Sequence, residues 1–186
     1  WYDETPWRGL ANNSVAYTEK PDMETFMDEW LSLVKSKSGE RGIFNRVASQ
    51  KQANKWRRRD ESLNYGTNPC SEIILRDKQF CNLTEVVVRA EDTHESLMEK
   101  VRIATILGTF QSTLDKFQFL SAEWHKNTTE ESLLGVSLTG IMDSKMMANP
   151  DPKFLEEMRD EARKTNQKYA KLLEVPESAS ITCVKP

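Results

Sequence analysis

The sequence predicts an α/β protein, and three observations carry the prediction. Short β-prone runs alternate with long stretches of helical periodicity. The helical stretches open on capping residues or end near glycine. Turn formers cluster between them, most densely at Asn64-Tyr65-Gly66-Thr67-Asn68-Pro69.

Pro21 to Lys37 carries Met23, Phe26, Met27, Trp30, Leu33 and Val34 at helical spacing, with Gly39 as its stop. A stripe of this kind is expected to be core. Asn45 to Arg59 is polar and helical in part. Pro69 biases Asn68 away from helix, and Ile73-Ile74-Leu75 is a short β-prone run. Arg76-Asp77-Lys78 reads as a turn that would bring Phe80-Cys81 back towards Cys70. Val86-Val87-Val88 reads as a strand. Asp92 with Glu95 forms a capping box for a helix to about Phe117, with Leu97, Val101, Ala104, Leu107 and Leu114 inside. Gly135 to Met142 is a buried strand or loop framed by Gly135 and Gly140. Asp151-Pro152 opens a helix to about Glu174, and Ala179 to Val184 is a final strand.

The chain has 186 residues, 38% of them hydrophobic and 30% charged, a lean apolar supply for a free-standing globule. It begins at Trp1 and stops at Val184-Lys185-Pro186, which reads as an internal piece of a larger protein. Net charge −3 argues against a dedicated nucleic-acid surface. The basic cluster Arg57-Arg58-Arg59 is followed by Asp60-Glu61 and reads as a solvated turn, a phosphate contact being the alternative. No stretch of about 18 apolar residues and no signal-peptide pattern is present, so a cytoplasmic protein with no membrane role is expected. Three cysteines do not make a disulfide framework; reactive or buried thiols are the better expectation. His94 and His125 read as surface or packing residues, and no Cys/His metal-ligand spacing appears.

The most informative stretch is Asn68-Pro69-Cys70-Ser71-Glu72, followed by Phe80-Cys81-Asn82-Leu83. In an extended segment the side chains of Asn68, Cys70 and Glu72 would share one face. A thiol, an amide and a carboxylate base gathered there outline a reaction site.

These residues resemble the radical-site loop of ribonucleotide reductases, most closely the adenosylcobalamin-dependent class II enzymes. Four further segments are similar in order: Ala11-Asn12-Asn13-Ser14-Val15, Ser38-Gly39-Glu40-Arg41-Gly42-Ile43-Phe44-Asn45-Arg46, Gly135 to Asp143, and Ser180 to Pro186. Proline before the cysteine fits class II, whereas iron-dependent enzymes tend to have leucine there. Glu72 argues against the glycyl-radical class. Cys-Asn-Leu-Thr-Glu-Val resembles the monomeric enzymes that reduce triphosphates.

The resemblance implies part of a ten-stranded α/β barrel over residues 1–186, with the radical cysteine on a central finger loop near residues 64–83. It implies reduction of ribonucleoside triphosphates for deoxyribonucleotide biosynthesis and DNA replication, in a bacterial or phage-infected cell. Cys70 would carry the thiyl, Glu72 would be the base, and Asn68 would hold the ribose hydroxyls. Cys81 would be one of two reducing thiols that form a redox-active disulfide, and Pro186 would border the substrate phosphates. Adenosylcobalamin would be the cofactor and a thioredoxin-like dithiol the external reductant. Nucleotide effectors would act on the parent protein.

Two departures stand out. Residues 1–69 hold no cysteine to serve as the second reducing thiol, and Cys183 reads as a small buried strand residue. The chain alone is therefore expected to be inactive. Ser71 stands where glycine is common in those enzymes. Two other readings remain: the catalytic subunit of an iron-dependent or diphosphate-reducing ribonucleotide reductase, and a non-enzymatic helical interaction module with structural cysteines.

Overall fold

The structure, a computed structural model, describes residues 5–7, 14–37, 42–55, 58–68 and 71–182. Two compact units divide the chain, Trp1–Asp77 and Lys78–Pro186. The α/β alternation is present, and the described strands form small sheets of two, two and three strands.

In the first unit, strands β1 (Ser14–Tyr17) and β2 (Gly42–Asn45) pair in parallel, Ser14 opposite Gly42. Helix α1 (Met23–Ser36) lies between them in sequence. Asp22 caps it, its carboxylate accepting from the Thr25 amide at 2.9 Å and the Thr25 hydroxyl at 2.7 Å. Lys37 closes it at φ 52°, while Gly39, the expected stop, lies outside the described residues. The apolar stripe of α1 is not core. No α1 residue is buried, and Met23, Trp30 and Val34 are 74%, 50% and 58% exposed. A two-stranded ribbon presents too little surface to cover such a helix.

Helix α2 (Arg46–Asn54) follows β2 directly, capped by Asn45. Strands β3 (Tyr65–Thr67) and β4 (Ile74–Arg76) then form an antiparallel hairpin. Tyr65 is buried and donates its hydroxyl to the Asp60 carbonyl at 2.7 Å. The Arg59 guanidinium sits 4.7 Å above the Tyr65 ring and donates to the Ile74 carbonyl at 2.9 Å. Arg59 is therefore a buried brace of the hairpin and not part of a solvated turn. Arg46 adds a second brace, from Nε to the Tyr65 carbonyl at 2.9 Å.

The second unit is a three-stranded parallel sheet in consecutive order, β5 (Asn82–Val87), β6 (Leu134–Thr139) and β7 (Ile181–Thr182). Helices α3 (His94–Gln111) and α6 (Pro152–Leu172) pack together, and α3 also packs on β5 and β6. Val86, Val136 and Leu138 meet Leu97, Val101, Phe154 and Met158 in the core between them. Between β5 and β6, helix α4 (Ala122–Glu131) follows α3, and the short α5 (Lys145–Ala148) precedes α6.

The caps explain the boundaries. Asp151 caps α6 with Pro152 in its first turn, as the sequence predicts. The α3 capping box is made by Thr93 and Ser96, not by Asp92 and Glu95. The helix ends at Gln111 rather than Phe117. There the Ser112 and Thr113 hydroxyls bond back to the Thr109 and Phe110 carbonyls.

Asp92 instead accepts from Lys100 Nζ at 2.6 Å and Ser96 Oγ at 2.7 Å, and also from the Arg89 amide. The Lys100 and Ser96 hydrogen bonds, in that order, hold its carboxyl down to about 2. A depressed carboxylate stabilises the fold above its ordinary pKa and loses that contribution as pH falls through the folded value. Asp92→Asn should therefore lower Tm at neutral pH. The gap to wild type should close as pH drops from 3.8 to about 2, measured by thermal melts across that range.

Asn166 ties the layers together. It donates to Thr109 Oγ1 at 3.0 Å and accepts from the Ser178 amide at 2.9 Å, while Ser178 Oγ accepts from the Leu134 amide at 3.1 Å. This satisfied buried network seats the chain entering β7. No helix among the described residues is long and apolar enough to cross a membrane.

Candidate active site

The tip of the β3–β4 hairpin holds the described part of the motif. Asn68 donates its amide to the Ile73 carbonyl at 3.2 Å, and Asn68 Oδ1 accepts from the Ile73 amide at 2.9 Å. The Ser71 amide donates to the Asn68 carbonyl at 3.0 Å. Residues 68 to 73 thus turn back on themselves, with Ile73 as the buried anchor. The expected alternation of Asn68, Cys70 and Glu72 on one extended face falls partly outside the described residues, since Cys70 is not among them. Ser71 has φ 65°, in the left-handed region that favours glycine.

Asn68 Oδ1 is committed to closing this loop, also facing the Thr67 hydroxyl at 3.3 Å. Its side-chain NH2 is the group left to meet a ligand. Glu72 is the unusual residue. Both carboxyl oxygens are shut off from solvent, and neither has a hydrogen-bond partner among the described residues. Buried acceptors are nearly always satisfied, and each one left bare costs about 1–3 kcal/mol. Such a group calls for a donor that a ligand could bring.

The loop lies against the start of the β1–β2 pair. A Cβ built on Gly42 would stand 2.6 Å from Ser14 Oγ and 3.4 Å from Ser71 Oγ. Ser14, Gly42 and Ser71 therefore meet, although 57 positions of sequence separate the outer two. Sequence reasoning names the three segments without showing that they touch.

Cys70 and Pro69 lie outside the described residues, as do Cys183 and Pro186. Asn68 and Glu72 share the hairpin tip. Cys81 stands in the second unit, half-buried, immediately before β5. His94 stacks on Phe154 at 4.0 Å with rings 7° from parallel, and His125 Nδ1 lies 2.8 Å from the Asp115 carbonyl oxygen. No group of three or more His, Cys, Asp and Glu residues that could hold a metal occurs among the described residues. No family model matches the chain, nor does a curated protein or a solved structure.

Proposed function

We propose that the chain is part of the catalytic barrel of a ribonucleotide reductase, one that reduces ribonucleoside triphosphates with adenosylcobalamin. The observation that carries this reading is the bare, secluded carboxyl of Glu72, two positions after the motif cysteine in sequence. Two others support it. Ser71 adopts the backbone conformation that glycine favours, at the position where the resembling enzymes commonly have glycine. The consecutive parallel order β5-β6-β7, with α3 and α6 packed together, supports the barrel reading.

Hydroxide is a poor leaving group from an unactivated carbon, so the 2′-hydroxyl is lost by radical chemistry. When bound, the cofactor supplies the radical equivalent that makes the Cys70 thiol a thiyl. The described residues hold no cluster of three or more His, Cys, Asp and Glu to ligate cobalt. The thiyl takes the 3′ hydrogen, leaving a C3′ radical. Glu72 accepts the 3′-hydroxyl proton, a role that requires hydrogen-bond reach of about 2.6–3.2 Å. The 2′-hydroxyl, protonated by a reducing thiol, departs as water. Cys81 and a second thiol supply two electrons, one of their hydrogens leaving in the water and the other forming the new C2′–H bond, and become a disulfide, while Glu72 returns its proton to the 3′ oxygen. Cys70 returns the hydrogen to C3′, and an external dithiol resets the pair. The Asn68 side-chain NH2 orients the ribose hydroxyls.

The test is deoxynucleotide formation by the full-length protein from ribonucleoside triphosphate, a dithiol and adenosylcobalamin. Cobalamin-dependent product is expected in wild type and none in Cys70→Ser. Product without cobalamin would favour the iron-dependent reading. No reduction under any condition from folded protein would remove the enzyme reading.

A further inference from the structure

Every neighbour of Cys81 is tied to one helix or to the residues just after it. Lys78 pairs with Glu123. The Gln79 side-chain amide donates one hydrogen to the Asn127 carbonyl at 2.9 Å and the other to Glu131 Oε2 at 2.6 Å. The Phe80 amide donates to Thr128 Oγ1 at 3.1 Å. The Phe80 ring stacks on Trp124 at 4.6 Å and meets Phe117 edge-on at 5.0 Å. The Asn82 amide donates to the Leu133 carbonyl at 2.8 Å, and its side chain reaches the same oxygen at 3.2 Å.

Gln79 and Glu131 are buried, at 5% and 6% exposure. Burying a carboxylate is unfavourable unless it is hydrogen-bonded. Two apolar side chains would join the same elements without that demand. The polar joint adds direction: Glu131 orients the Gln79 amide, and Gln79 fixes the backbone two residues before the thiol. With residues 80 and 82 also bound, Cys81 keeps little freedom beyond its own side-chain rotation.

We propose that α4 is a positioning clamp for the Cys81 thiol, with Gln79 and Glu131 as its positioning residues. This deepens the reductase reading and rests on it for the thiol's role. Disulfide formation tolerates a narrow range of geometry, with Cα atoms about 4.4–6.8 Å apart. A thiol that must alternate between dithiol and disulfide gains rate from a fixed backbone.

The experiment uses the full-length protein with Gln79→Ala, Glu131→Ala and Glu131→Gln. Three quantities are measured: kcat and KM for deoxynucleotide formation, the alkylation rate of Cys81 by iodoacetamide followed on its peptide, and the thermal melt. Both alanine variants should lose about 10- to 100-fold in kcat at unchanged KM and alkylate Cys81 several-fold faster. Glu131→Gln keeps an acceptor for the Gln79 amide and should restore both quantities. Thr128→Val, which removes only the acceptor of the Phe80 amide, serves if an alanine variant does not fold, and should act in the same direction.

Unchanged alkylation and kcat in the alanine variants would overturn the clamp. So would a Glu131→Gln variant as impaired as Glu131→Ala. Altered alkylation in a protein that reduces no ribonucleotide would uphold the clamp and overturn the reductase reading instead.

Discussion

Glu72→Gln should lower deoxynucleotide formation by about 10²–10⁴-fold, the usual worth of a positioned general base, and Glu72→Leu should lower it as much while leaving the protein more stable rather than less. The two effects have one cause. The carboxyl is secluded with no partner among the described residues, so the folded state carries an unmet demand that only a bound donor relieves. Glutamine keeps the shape and removes the acid but leaves two unpaired polar atoms, whereas leucine removes them. Equilibrium urea unfolding of full-length Glu72→Leu should show a gain of about 1–3 kcal/mol, the range for an orphaned buried group. Loss of activity with loss of stability would make Glu72 a structural residue. Unchanged activity would remove it as the base.

Gly140→Ala should be the most damaging small substitution in the second unit. Gly140 has φ 73°, and an added Cβ would stand 2.6 Å from the Val88 backbone oxygen. Val88 is fully buried, and its amide is held by the Thr139 carbonyl at 2.8 Å, so this strand end has nowhere to move. The left-handed backbone costs an ordinary residue about 1–2 kcal/mol, and overpacking adds about 1–3 kcal/mol. A loss of about 3 kcal/mol in urea unfolding is expected. Gly66→Ala is the matched control. Nothing lies within 4 Å of its Cβ position and its φ is not positive, so it should stay within about 0.5 kcal/mol of wild type.

What the sequence revealed depended on how each element earns its stability. The start of α6 was legible because Asp151-Pro152 is a strong local signal and Phe154, Met158 and Ala162 repeat at helical spacing. The glycine-framed run Gly135 to Met142, readable as strand or loop, is strand β6 as far as Thr139. Helix α4 was not legible, because it packs through Trp124, Asn127, Thr128 and Glu131, with no aliphatic stripe. Strands β1 and β2 went unseen because each is four residues long and gains definition only from its parallel partner. At the motif, residue types were readable and geometry was not. Alternation presumes a straight segment, and Ser71 in the left-handed region bends it. Arg59 looked like one member of a charge run until Tyr65 was found beneath it.

Helix α1 presents a run of apolar side chains to solvent. Met23, Met27, Trp30, Leu31 and Val34 all stand in water, at 46% to 74% exposure. Neighbouring molecules can shed that hydration by meeting face to face, so attraction between them should grow with concentration and with sulfate. Light scattering from the purified protein should then show Trp30→Asp weakening that attraction, with Phe119, Met142, Leu114 and Leu172 left to carry the rest.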